Sequence, residues 1–145
     1  MRKSNPQGYA NLLNRVMESS EQMGEEVDPH FQDFKKTLAL KGIDPLSDRD
    51  LHEIVTIFKK AVDLYKQNVE TLKKAKPPVQ ILGRHKQLTS AYETYAQDCE
   101  LMLTSIDEAN KKIDSEQFSK AEQAQDKDMD AVSKAFDRIM AMMMG

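Results

Sequence analysis

The sequence predicts an all-α protein, an antiparallel up-down bundle of four main helices forming a single domain over residues 1–145. Hydrophobic residues make up 39% and charged residues 31% of the chain, with five Gly, five Pro and no Trp, the balance of a helical protein rather than a sheet protein. Apolar residues recur at spacings of three and four through most of the chain. Helix-stopping signals fall at Gly42, at Pro77-Pro78 and at Asp114, so the connections are short and successive helices turn back on one another. A chain of this length can bury roughly two-thirds of its unfolded surface without disulfides or metals.

The first helix starts near Pro6 and ends at Gly42, a residue suited to the left-handed cap that closes a helix. Tyr9, Leu13, Val16, Met23, Val27, Phe31, Phe34 and Leu38 form one apolar stripe that runs past Pro29. One helix kinked at Pro29 is expected, the alternative being a split in which Asp28 caps a second helix with Pro29 in its first turn. Ser47 can cap the next helix, with Asp48 and Asp50 where the helix dipole favours negative charge. That helix runs to about Ala75 on a stripe of Leu51, Val55, Phe58, Val62, Tyr65, Val69 and Leu72. A second stripe of Ile54, Ile57, Ala61 and Leu64 lies beside it, giving a face wide enough for two neighbours.

Pro77 and Pro78 end the second helix, and Pro78 opens the third. There Ile81, His85, Leu88, Tyr92, Tyr95, Cys99, Met102, Ile106, Ala109 and Ile113 alternate spacings of four and three, a coiled-coil-like seam that predicts helix through Ile113 and no sheet. Asp114 or Ser115 caps the last helix, whose stripe is Phe118, Ala121, Met129, Val132, Phe136, Ile139 and Met143. Its middle, EQAQDKD, is almost wholly polar, so this helix is expected to pack well at its ends and poorly between them.

Charge and motifs exclude more than they propose. The formal charge is −3, from 21 Lys and Arg against 24 Asp and Glu, so no basic excess exists to attract nucleic acid or an anionic membrane. The last segment is the visibly acidic one. A single cysteine excludes an intramolecular disulfide and a Cys-rich zinc site, which fits a reducing cytosol. The start, MRKSNPQGYANLL, has basic residues but no following apolar run, and no stretch is apolar enough for membrane insertion. A cytoplasmic protein is expected, the alternative being a surface lipoprotein domain whose export signal has been removed.

The stretch from Ala75 to Met102 gathers Pro-Pro, a Gly, a His, two Tyr and the one Cys, yet His85, Tyr92, Tyr95 and Cys99 all lie on the seam and so face the core. A structural histidine, core aromatics and an inert thiol beside Asp98 and Glu100 are the expected roles. None of His30, His52 and His85 has Glu three residues before it, which argues against a helical di-metal site, and no phosphate loop, nucleophile elbow or zinc-protease signature occurs. No metal, cofactor or catalytic residue is expected. The run Lys73-Lys74-Ala75-Lys76 suits a helix C-terminus electrostatically.

From Leu72 the order Leu-Lys-Lys-x-Lys-Pro-Pro, then His85, Leu88, Tyr92 and Tyr95, then Asp114, Phe118 and Ala121 resembles a loose pattern in uncharacterised helical-bundle proteins and lipoproteins of Gram-positive bacteria. It covers about the last half of the chain. The resemblance implies a bundle and a bacterial source; no activity and no functional residues come with it, and the export signal of the lipoprotein form is not seen here.

Two functions remain as expectations. The first is a non-enzymatic interaction module that binds a protein partner or a second copy of itself, using the surplus apolar side chains Met140, Met142, Met143 and Met144 at the end of the last helix. The alternative is a small-ligand binder with a pocket near the Pro-Pro end lined by His85, Tyr92 and Tyr65.

Overall fold

The computed structural model describes residues 5–144; residues 1–4, which carry the basic start of the chain, and Gly145 lie outside the described residues. Four helices pack against one another, α1 (Pro6–Lys41), α2 (Asp48–Lys74), α3 (Leu82–Thr104) and α4 (Ser115–Met144). Each packs on the next, and α1 also meets α4, which closes the ring. The start of α1, the end of α2, the start of α3 and the end of α4 share one end of the bundle, where Tyr9, Leu72, Ile81 and Ile139 join one core cluster. Phe34, Leu51, Met102 and Phe118 form the core of the opposite end. The arrangement is the antiparallel up-down bundle expected.

The helix ends follow local chemistry. Asn5 Oδ1 accepts the Gly8 amide at 3.1 Å, and Pro6 fills the first helical position, where no amide partner is needed. At the other end of α1, Gly42 takes φ 74°, a conformation costly to a residue with a Cβ, and its amide reaches the Leu38 carbonyl at 3.1 Å. The Ser47 hydroxyl accepts the Asp50 amide at 3.0 Å, and Asp114 Oδ1 accepts that of Gln117 at 3.0 Å. α1 is one continuous helix, so the split at Pro29 does not occur. Proline removes the amide that would reach the Glu25 carbonyl, but both residues are exposed and water can take its place.

The third helix is shorter than its apolar spacing predicts, and this corrects two expectations. It ends at Thr104, and the chain then makes a two-residue antiparallel ladder, β1 (Ile106–Asp107) with β2 (Lys112–Ile113), pairing Ile106 with Ile113 and Asp107 with Lys112. Asp107 causes the exit: its carboxylate accepts the Asn110 amide at 3.2 Å and the Asn110 side chain at 2.8 Å, a local turn that competes with helical bonding. Lys111 completes the turn at φ 52°. Ser105 closes the loop by accepting the Asp114 amide at 2.8 Å. Ala109, placed on the seam by spacing, is exposed at the turn.

The far end of the core is built from four phenylalanines. Phe31 stacks on Phe118 at 6.1 Å, while Phe34 meets Phe118 and Phe58 edge-on at 5.7 and 6.2 Å, tying α1 to α4 and α2. Around the outside, Lys35–Glu122 (2.5 Å), Lys60–Glu26 (2.6 Å) and Lys73–Glu93 (2.7 Å) bridge adjacent helices; such solvent-screened pairs add little to stability beside the core.

Phe34→Ala is expected to destabilise the bundle by about 3–5 kcal/mol, the usual cost of truncating a fully buried aromatic. Leu40→Ala, at an exposed position two residues before Gly42, should change stability by no more than about 0.5 kcal/mol. Urea unfolding midpoints of the two variants check both statements.

Candidate functional site

The end of the bundle that holds the Pro-Pro turn is organised by His85, which is buried. Its Nε2 lies 2.8 Å from the Leu72 carbonyl, which can only accept, so Nε2 carries the proton. The neutral ring then accepts at Nδ1, 2.7 Å from the Tyr9 hydroxyl, which donates. Burial lowers the His85 pKa and favours this neutral form, while the bond to Leu72 pulls the other way. Both ring nitrogens are thus committed to α1 and α2.

About two turns further in, Tyr92 is wholly buried in a second network with a fixed direction. Ser20 Oγ donates to the Val16 carbonyl at 2.7 Å, so the Tyr92 hydroxyl, 2.6 Å away, donates to Ser20. Asn68 Nδ2 donates to Tyr92 at 2.9 Å and to Ser19 at 3.1 Å. α1, α2 and α3 are held in register by these bonds. His85 and Tyr92 therefore sit in packed, hydrogen-bonded surroundings, and a pocket lies elsewhere.

A cavity of about 190 Å³ opens midway along the bundle, where the two core clusters meet, and all four helices line it. Of the three residues expected to line a pocket, Tyr65 does so and His85 and Tyr92 do not. Phe31, Phe58, Val62 and Met102 give apolar walls, and Tyr65, Tyr95, Cys99 and Gln125 bring polar groups. The Tyr65 and Tyr95 rings meet edge-on at 5.1 Å. Burial pushes the Tyr65 hydroxyl and the Cys99 thiol each up to about 12, and raises Tyr95 as well, so all three stay uncharged at neutral pH. The thiol is inert on the same ground. Gln125 donates to the Asp98 carbonyl at 3.3 Å.

Asp98 on α3 faces Asp128 on α4. Burial, hydrogen bonding to Asp98 and repulsion by its charge push Asp128 up to about 7, and Asp128 Oδ2 is buried without a hydrogen-bond partner. A neighbouring carboxylate disfavours the charged form of Asp128 in the same direction as burial does. Among the described residues, no group of three or more His, Cys, Asp or Glu is placed to hold a metal ion. His52 is paired with Glu108 at 2.7 Å.

The methionines of α4 divide. Met140 and Met143 pack partly against the core, while Met142 and Met144 are 45% and 87% exposed. Val79, 87% exposed, in the short 3-10 turn before α3, and Leu82, 43% exposed, at the first residue of α3, lie at the same end of the bundle. Spacing alone did not reveal Val79 and Leu82 as part of this apolar end, nor Gly24 and Gln125 as cavity residues. A glycine opposite a polar stretch is the one signal that could have located the cavity, and its two halves are far apart in sequence. Ser20 and Asn68 were missed because polar residues break an apolar pattern.

Comparison of the chain with protein-family models, with curated proteins and with solved structures finds no match. The likeness to Gram-positive bundle proteins therefore rests on motif order alone. Among the described residues, no helix is long and apolar enough to cross a membrane.

Tyr92→Phe should cost about 1–3 kcal/mol, because it leaves buried Ser20 without its donor and Asn68 short of an acceptor. Thermal or urea unfolding at pH 7.5 checks this. The two titrations act in opposite senses. His85 has a lowered pKa in the fold, so its contribution is whole above about 6.5 and is lost as pH falls below that value. Asp128 has a raised pKa, so its contribution is whole below about 3.9 and is lost as pH climbs to about 7. Asp128→Asn should accordingly gain stability relative to the unsubstituted protein between pH 4 and pH 8, read from urea midpoints across that range.

Proposed function

We propose that the protein is a non-enzymatic interaction module that associates with a second copy of itself through the apolar end of the bundle. The observation that carries this reading is the exposure of Val79, Leu82, Met142 and Met144 at one end, contributed by α4 and the segment that opens α3. Large apolar side chains gathered at a surface favour association, and Met adapts to an imperfect counterpart. Four side chains make a small contact core, which suits a weak, concentration-dependent dimer. A non-enzymatic role is supported by the neutral state of the buried His, Tyr and Cys groups and by the structural use of both His85 nitrogens. The net charge of −3 gives no support for nucleic acid as the partner.

Met140 and Met143 contribute to the core, so shortening the chain before them would confuse folding with association. The double variant Val79→Glu, Met142→Glu alters exposed positions only. It should keep its melting temperature within about 2 °C, since exposed substitutions cost little. Sedimentation equilibrium should show the unsubstituted chain dimerising as concentration rises and the variant weakened at least tenfold. Equal association of the two proteins, or a monomer in both at millimolar concentration, sinks the reading.

A further inference from the structure

We infer that the central cavity is a binding site for a small, neutral, single-ring aromatic molecule carrying one hydroxyl or N–H group. The site is separate from the apolar end of the bundle and does not depend on association there. Three features of the cavity select this class.

Size is the first. At about 190 Å³ the cavity, which opens to solvent on one side, is somewhat larger than the roughly 150 Å³ apolar cavity known to admit benzene, so one ring with a small substituent fits. The second is wall chemistry: Phe31, Phe58, Tyr65 and Tyr95 offer ring edges and faces, and the sulfurs of Met102 and Cys99 complement an aromatic guest. The third is polarity. The Tyr65 and Tyr95 hydroxyls, the Cys99 thiol and the Gln125 amide can bond a hydroxyl or N–H group, and none of them offers a charge to an anion or a cation. Asp28 on α1 also borders the cavity: its carboxylate disfavours an anionic guest, while its exposure to screening solvent and its bond from the Gln32 side chain leave it little hold on a cation.

Access is provided at Gly24. It lies within α1 at an ordinary helical conformation, is exposed, and lines the cavity, and a Cβ built there meets no atom within 4 Å. Helix interiors lose about 1 kcal/mol at a glycine relative to alanine, so packing gives this residue no reason to be glycine. What it leaves is open space beside Val27, Asp28 and Phe31, through which a ring can enter.

Phenol is the probe, with benzoate as the anionic comparator of similar shape. Titration of phenol into the full chain should shift the Met102 methyl resonance saturably and leave that of exposed Met144 in place. At tenfold excess over Kd it should raise the melting temperature by about 3–6 °C. Gly24→Ala should keep binding and melt higher than the unsubstituted chain. Gly24→Leu, with a side chain long enough to fill the entrance, should fold with an unchanged circular dichroism spectrum and lose at least tenfold in phenol affinity. The inference is overturned if phenol leaves Met102 unshifted, if Gly24→Leu binds as well as Gly24→Ala, or if benzoate binds as tightly as phenol.

Discussion

A single carbonyl left over at the end of a helix sets much of the arrangement. Pro77 and Pro78 stop α2 at Lys74, so the Leu72 oxygen never receives the amide four residues on that a continuing helix would supply. The Ala75 amide reaches it at 3.3 Å, a long bond, and the His85 ring reaches it at 2.8 Å. That second bond fixes the proton on Nε2, which makes Nδ1 an acceptor, which in turn makes Tyr9 the donor. The starts of α1 and α3 are thereby positioned against the end of α2 by two bonds whose directions follow from one carbonyl oxygen, which can only accept. A buried carbonyl with two lone pairs and only one long backbone bond gains from a second, shorter donor, which favours the triad.

The middle of the bundle lacks such a device, and its packing shows it. The polar run of α4 from Glu122 to Asp128 removes apolar side chains at the level where Gly24 removes one from α1. The core consequently divides into a cluster around Tyr92, Leu72 and Ile139 and another around the phenylalanines, with the cavity at their junction. Asp128 sits near the same level on the α3–α4 side, its pKa raised by burial and by the neighbouring Asp98. The least consolidated part of the fold and its most perturbed carboxyl group thus coincide.

Helix starts and stops were readable because each depends on a residue and its near neighbours: Ser47 on Asp50, Gly42 on its own backbone freedom, Asp114 on Gln117. The inner stripes of α1, α2 and α4 were readable because burial imposes the helical period. The end of α3 was misread because Ile106 and Ile113 are seven residues apart, a spacing that serves a heptad and, equally, a cross-strand pair joined by a short hairpin. Only the competing turn at Asp107 and Asn110 decides between them, and it is a tertiary-stabilised local choice rather than a period. Of the site, Tyr65, Tyr92, Tyr95 and Cys99 could be placed on inward faces, but their partners could not. Which buried hydroxyl meets Ser20, Asn68 or nothing depends on the relative rotation of three helices, and a one-dimensional pattern does not contain that angle.

The division of polar groups between the two regions bears on what each can do. At the Pro-Pro end the buried donors of Tyr9, His85, Tyr92 and Asn68 have protein acceptors, so a guest molecule there would break a bond for every bond it made. Midway along, Tyr65 and Tyr95 meet chiefly each other and Cys99, all weak or neutral partners beside open space, and exchanging them for a guest's hydroxyl costs little. The residues that look most like a site in the sequence are therefore the ones most fully consumed by the fold. Capacity for another molecule lies instead where packing is incomplete, in the cavity beside Gly24 and at the exposed side chains of Val79, Leu82, Met142 and Met144.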